Sequence, residues 1–285
     1  MTIATERPDS APVTGRLLQG RRALIMGVAD RHSIAWGIAE AMHDHGAQLA
    51  FTYQEEPKRR IERNVRGLVS TLGARADSPL FPCDVREDAS IEKVVSQLST
   101  SWKGIDVLVH CIAYADRDDL NRPFSEVSRE GYKLAMEISA YSLNAVSRAA
   151  APLMQEAGGS IIALTYNAVE KAVPGYSAMA AAKGALELGV RYLAAELGPQ
   201  KIRVNAISAG PIRTLSASAV KGITMLRSWT EKASPLRENI SPRDVGNTAV
   251  YLASDLARMV TGNIIFVDSG THILAAQVAA LPDED

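Results

Sequence analysis

Tyr176 and Lys183 close the run Gly175-Tyr176-Ser177-Ala178-Met179-Ala180-Ala181-Ala182-Lys183. If this run is helical, seven steps of about 100° return to within roughly 20° of the start, so both side chains project from one face. A phenol and an ammonium on one face suit a reaction in which negative charge develops on a carbonyl oxygen. The phenol donates to that oxygen, and the ammonium holds a cofactor hydroxyl and supplies positive potential. The same pair also reads as an amphipathic helix with a half-buried tyrosine and a surface lysine. The surrounding elements have to decide between the two.

Apolar runs with β character alternate with helical patterns along most of the chain. Candidate strands are Arg22–Met26, Gln48–Tyr53, Leu80–Cys83, Val107–Cys111, Ser160–Thr165, Arg203–Ser208 and Asn263–Val267. Helical segments fall near 33–45, 56–72, 88–102, 128–155, 175–198 and 241–254. Such alternation predicts an α/β fold: a single-domain, Rossmann-type, doubly wound parallel sheet with helices on both faces. Hydrophobic residues make up 47% of the 285 and aromatics only 5%, which suits an aliphatic parallel sheet buried under helices. Ligands of such sheets bind at the carboxyl ends of the strands. The stretch of about Pro211–Asn239 shows no clear period, is too long for an ordinary connection, and reads as a functional lid.

The strand ends carry the next candidates. After the first strand comes Gly27-Val28-Ala29-Asp30-Arg31-His32-Ser33-Ile34-Ala35-Trp36-Gly37, a glycine turn into a helix N-terminus with Ser33 at the N-cap position. Unpaired N–H groups and the helix dipole make such a turn a phosphate site, although the usual middle glycine is absent and a plain capped turn fits too. The second strand ends in Phe51-Thr52-Tyr53-Gln54, where a neutral Gln54 can hydrogen-bond a ribose. Lys58, Arg59 and Arg60 lie a turn or more further on and read as a solvated helix face, so NADH is expected over NADPH. Cys83-Asp84-Val85 places an acceptor where an adenine amino group would sit. His110-Cys111-Ile112-Ala113-Tyr114-Ala115 is largely small and apolar, as backbone passing close to a cofactor must be.

Several functions are disfavoured. A formal net charge of −1 gives no global drive towards nucleic acid or an anionic membrane. Cys83 and Cys111 are too few for a disulfide framework and lack metal-ligand spacing. His32, His43, His45, His110 and His272 are scattered and form no zinc pattern, so no metal is expected. Residues 1–16 lack the apolar core of a signal peptide, and no apolar stretch has the length of a membrane helix. The chain reads as soluble, reduced and cytoplasmic.

Together these segments resemble the short-chain dehydrogenase/reductase superfamily, and more narrowly the bacterial NADH-dependent enoyl-acyl-carrier-protein reductases of type II fatty-acid synthesis. The matching residues are Gly27-x5-Ser33-Ile34-Ala35-x-Gly37, Phe51-Thr52-Tyr53-Gln54, Cys83-Asp84-Val85, Tyr166, Tyr176-x6-Lys183 and the run from Arg203 to Thr214. They cover about 18–272. The resemblance implies that NADH delivers hydride to the β-carbon of a trans-2-enoyl thioester. Tyr176 then hydrogen-bonds the thioester carbonyl as enolate charge grows, Lys183 grips the nicotinamide ribose, and Tyr166 lines the acyl site. It further implies cofactor contacts at Gly27, Ser33, Ile34, Gln54, Asp84, Val85, Ile112 and the segment Ile212, Arg213, Thr214, Leu215 and Ser216. Substrate contacts are implied at Ala115, Ile223 and Leu226 within a substrate-binding loop of about 212–226. An acyl carrier protein bearing the enoyl thioester, a homotetramer and a cytoplasmic location follow from the same resemblance.

General carbonyl reductases of this superfamily place the catalytic tyrosine four residues before the lysine, a position held here by Met179, whose thioether cannot donate a proton. Ala113 stands where many family members have Gly, and Asn167, Gly175 and Ile223 also differ from common choices. These departures bear on chain-length preference and inhibitor sensitivity more than on the reaction. Residues 1–17 and 273–285 are expected to be tails outside the reductase domain. A related reductase acting on another enone or carbonyl, and a cofactor-binding paralogue without turnover, are the competing readings.

Overall fold

The computed structural model describes residues 15–72, 78–154, 158–173, 175–215, 217 and 222–274. Its strands are β1 Arg22–Met26, β2 Gln48–Tyr53, β3 Leu80–Pro82, β4 Val107–His110, β5 Gly159–Thr165, β6 Ile202–Ala209 and β7 Ile264–Val267. All pair in parallel in the order β3-β2-β1-β4-β5-β6-β7. The order reverses between β1 and β4, so the crevice for a ligand opens outside those two strand ends.

Alternation along the strands divides the core in two. Ala23 and Ile25 of β1, Val107 and Val109 of β4, and Ile162 and Leu164 of β5 face one layer. Leu24, Met26, Leu108, Ile161 and Ala163 face the other. The first layer is closed by α1 Ile34–Asp44, α2 Arg60–Thr71 and α9 Pro242–Ala253, through residues such as Ile38, Val65 and Ala249. The second is closed by α3 Asp88–Ser101, α6 Ser142–Ala150 and α7 Ser177–Leu197, through Ile91, Leu143 and Leu186. A sheet covered on both faces explains why its strands read as near-continuous apolar runs.

Two expectations need correction, and one helix was not expected. The region 211–239 contains a helix, α8 Ile223–Ala233, which starts after Gly222 in the left-handed region at φ 84°. Only Thr230 of α8 is buried, so it lacks the apolar stripe that gives a helix its sequence period. The expected helix over 128–155 is four pieces: α5 Arg129–Met136, a π turn over Glu137–Tyr141, α6, and a 3₁₀ turn at Ala151–Leu153. Between β4 and α5 a short helix, α4 Arg117–Asn121, had no sequence period long enough to be seen; its N-cap Asp116 accepts from the N–H groups of Asp118 and Asp119.

Candidate active site

Tyr176 is not inside a helix. Gly175 has φ 77°, Tyr176 is the N-cap of α7 at φ −132°, and the helix begins at Ser177. The one-face argument therefore gave the right neighbours by a slightly different geometry. Tyr176 stands at the mouth of α7 and Lys183 nearly two turns inside it, and both line one cavity of about 420 Å³. Tyr166, just beyond β5, meets Tyr176 edge-on, with ring centroids 5.1 Å apart at 70°. Burial pushes both phenols above the ordinary tyrosine range, so each is a neutral donor at working pH.

Lys183 is 5% exposed, and its Nζ donates to the carbonyl of Leu164 at 2.6 Å. Burial pushes the ammonium down to about 8, against the upward pull of Cys111 and Glu187. A lysine so placed remains largely charged at neutral pH and loses its charge as the pH passes 8. Leu164 O satisfies one of its three donors, leaving others for a ligand hydroxyl.

The floor of the cavity is built for close backbone approach. Gly27 has φ 93°, and a Cβ there would lie 2.1 Å from the carbonyl oxygen of Cys111. No other residue type fits between β1 and β4 at this point. Ser33 is the N-cap of α1 but does not cap it. Its Oγ accepts instead from the N–H groups of Ala29 and Asp30 at 3.1 and 2.9 Å and donates to the Asp30 carbonyl at 2.7 Å. That shapes the turn and leaves the first turn of α1, with Ile34 and Ala35 on the cavity wall, uncapped for an anion. Ile112, Ala113 and Ala115 also line the cavity, with Ala115 and Tyr176 both packed against the cluster of Leu120 and Met179.

Beyond β6, Ile212, Thr214 and Leu215 reach the cavity, as do Ile223 and Leu226 from the first turn of α8. The last two thus belong to a helix and not to a loop. Thr214 Oγ1 accepts from Ala217 N at 3.0 Å, and Arg227 Nη1 donates to the Pro211 carbonyl at 3.3 Å, bracing α8 against the end of β6. Ser216 lies outside the described residues.

Gln54, Asp84, Val85 and Arg213 are not brought into this cavity. Gln54 is exposed past the end of β2, Asp84 follows β3, Val85 is buried in the second core layer, and the Arg213 side chain is exposed. Gln54 and Asp84 lie towards the β3 edge of the sheet. Arg86, which sequence reasoning passed over, hydrogen-bonds Asp84 through Nε at 3.0 Å and holds its carboxyl down at about 2, with further help from Gln54. Arg59 of the basic run binds Glu62 at 2.8 Å, as does Arg66 from further along α2 at 3.0 Å, and Arg63 donates to the Lys58 carbonyl.

The structure also adds residues that the sequence did not single out as site members. Met179 and Cys111 line the cavity. Ser139, fully buried in the π turn, accepts from Tyr114 N and donates to Tyr114 O, each at 2.9 Å, and so fixes the loop that carries Ala113 and Ala115. A serine in an apolar helix gave no signal in sequence, because its partner lies 25 residues away. Among the described residues there is no cluster of metal-ligating groups.

A doubly wound sheet with a glycine turn at its switch point, and with a phenol and an ammonium sharing one apolar cavity, defines a dinucleotide-dependent reductase. Comparison with known proteins narrows the class. The profile of the family described as enoyl-(acyl carrier protein) reductase matches residues 27–272. Curated relatives include the NADH enoyl-[acyl-carrier-protein] reductases FabI of Nostoc, 48% identical over 90% of this chain and 98% of the relative, and of Bacillus cereus, 50% identical over 90% and 99%. Among solved structures, the Bacillus cereus enoyl-acyl carrier protein reductase with NADP+ and indole naphthyridinone superposes with a TM-score of 0.88 at 49% identity. It covers 92% of this chain and 100% of that one. The Anaplasma phagocytophilum reductase in complex with NAD gives 0.86 at 41% identity, over 92% and 98%. The chain belongs to the enoyl-(acyl carrier protein) reductase family.

Proposed function

We propose that this protein reduces the trans-2 double bond of enoyl thioesters carried on acyl carrier protein, with NADH as reductant. One observation carries the reading: Tyr176, Tyr166 and Lys183 line a single mainly apolar cavity in which the position four before the lysine is Met179. A ketone reductase of this superfamily would find no acid there. The residues fit a dinucleotide, since Gly27 lines the cavity at the strand switch point without a side chain and the first turn of α1 is left uncapped. When bound, NADH supplies the hydride that the β-carbon accepts. The Tyr176 phenol hydrogen-bonds the thioester carbonyl and stabilises the charge that grows on it. Lys183 holds the nicotinamide ribose and adds positive potential, while Tyr166 fixes the ring of Tyr176 and borders the acyl chain. Gln54, Asp84 and Val85 serve the adenosine half, and Gly27, Ser33, Ile34, Ile112 and the segment from Ile212 to Ser216 the rest of the cofactor. Ala115, Ile223 and Leu226 form the acyl wall.

The deciding experiment follows NADH oxidation with crotonyl and longer enoyl thioesters, against ketone substrates. Turnover on ketones with none on enoyl thioesters would defeat the reading, and turnover on neither would favour a paralogue without catalysis. In the same assay NADH gives a higher kcat/KM than NADPH. Gln54 has no charge to attract a 2′-phosphate, and Arg59 and Arg66 are occupied by Glu62. Arg86 is the residue whose release from Asp84 would reverse that preference.

The wall after β6 should respond to ligand. Leu215 and Met225 are exposed and Ile223 and Leu226 half-buried, so this wall is only partly covered by the rest of the fold. Amides of Ile212 to Leu215 and Ile223 to Leu226 gain protection from hydrogen exchange when NADH and an enoyl analogue bind together. Equal protection in both states would remove this segment's role as a substrate-binding lid.

A homotetramer in the cytoplasm, without nucleic-acid or membrane partners, completes the proposal. Leu188 and Tyr192, four apart and exposed on α7, offer an apolar surface for a second copy, and the net charge of −1 favours no polyanion. No described helix is long and apolar enough to cross a membrane.

A further inference from the structure

Behind the cavity, α7 is tied to the end of β5 at two successive residues. Lys183 Nζ donates to the carbonyl of Leu164, and one turn further along the helix Glu187 Oε1 accepts from Thr165 Oγ1 at 2.7 Å. The next residue of the strand end is Tyr166. Residues four apart share a helix face, so Lys183 and Glu187 look the same way, towards β5. Thr165 and Glu187 are 4% and 6% exposed, and Glu187 does not line the cavity. A carboxylate in such a place is costly unless something compensates it. Thr165 supplies one hydrogen bond, and Arg191, with its side chain largely in solvent, approaches only to 4.0 Å.

We propose that Glu187 is a positioning residue for the reductase site: its carboxylate keeps Lys183 in the ammonium form and, through Thr165, fixes the strand end that carries Tyr166. This rests on the reading that Lys183 acts as a cation towards NADH. The groups facing the pair are few. Lys183 is flanked by Cys111 after β4, by His110 on β4 and by Glu187. Glu187 is flanked by Arg191, by Glu170 after β5 and by Lys183, and burial raises its carboxyl above the ordinary glutamate range. Burial, aided by Lys183, pushes His110 down to about 3, and burial pushes the Cys111 thiol up to about 12. Both tyrosines are raised as well. Across the range where the enzyme works, Lys183 is therefore the member of this group whose charge changes; burial pulls it down, and Cys111 and Glu187 oppose that pull. Without that charge, burial acts on Lys183 with less opposition and the ammonium is lost at lower pH.

The test measures NADH affinity from pH 6 to 10 for the full-length protein, Glu187→Gln and Glu187→Asp, with crotonyl thioester turnover followed in parallel. Glu187→Gln keeps an acceptor for Thr165 and removes only the charge. Its alkaline midpoint should fall by about one pH unit, with the acid plateau kept. Glu187→Asp should return the midpoint towards that of the unaltered protein. An unmoved midpoint in Glu187→Gln, or equal displacement by Gln and Asp, overturns the proposal and leaves Glu187 as packing. Should the amide variant not fold, the carbon-13 shift of the Glu187 carboxyl in the unaltered protein decides. An ionised group at pH 7 sustains the proposal and a protonated one overturns it. Failure of the reductase reading is visible separately, as absence of enoyl turnover in the unaltered protein.

Discussion

Tyr176→Phe lowers kcat on enoyl thioesters by about 10²–10³, the usual effect of losing one donor to a developing oxyanion. NADH affinity stays close to that of the unaltered enzyme, because the proposed partner of the phenol is the thioester carbonyl and not the dinucleotide. The ring remains. Its edge contact with Tyr166 at 5.1 Å and its packing against the cluster of Leu120 and Met179 involve the ring that phenylalanine keeps. Melting temperature should therefore hold within a few degrees. Steady-state kinetics with saturating NADH, together with calorimetry, check both parts. A large loss of stability with kcat intact would make Tyr176 a core tyrosine and return the site to the amphipathic-helix reading.

How far such a site can be read from sequence depends on whether its residues are tied to local patterns. All seven strands were visible because each is an apolar run flanked by helical periodicity, buried on both faces at the centre of the sheet and partly covered at its edges β3 and β7. Tyr176 and Lys183 were visible because their spacing constrains them within one segment. The elements missed had no such signature. Helix α8 buries only Thr230, and α4 is five residues long and held by the Asp116 cap. The break of α7 at Tyr176 arises from Gly175 at φ 77°, a local feature whose consequence for direction is not visible in composition. Long-range pairs were out of reach for a different reason. Ser139 with Tyr114, Thr165 with Glu187, and His110 with Ser142 at 2.8 Å are each set by the stacking of elements, not by sequence spacing. Arg86 stands two residues from Asp84 and was accessible in principle. A residue two positions past a strand end can turn towards solvent as readily as back onto the acceptor, and only the fold shows that Arg86 turns back.

Lys183→Met should separate binding from folding more sharply than any other change in the site. Methionine keeps most of the apolar stem and removes the ammonium. The lost hydrogen bond to a ribose hydroxyl, charged on one side, is worth about 1.5–3 kcal/mol, so NADH affinity falls by about 10- to 100-fold. Stability moves the other way or not at all. Burial has pushed the Lys183 ammonium down to about 8, which means that the fold holds the charged form less well than water does. The sign follows: a lysine whose folded value lies below its unfolded value costs stability at neutral pH, and the cost fades as the pH rises through 8 towards the unfolded value. Replacing it removes that cost and gives up one bond to the Leu164 carbonyl. Melting temperature at pH 7 is then kept or raised, and the gap between variant and unaltered protein narrows by pH 9. Calorimetry at the two pH values, with NADH titration by fluorescence, measures all three quantities. A variant that binds NADH normally would remove Lys183 from the cofactor site. One that binds poorly but also melts early at pH 7 would mean that the ammonium serves the fold through Leu164 before it serves the cofactor.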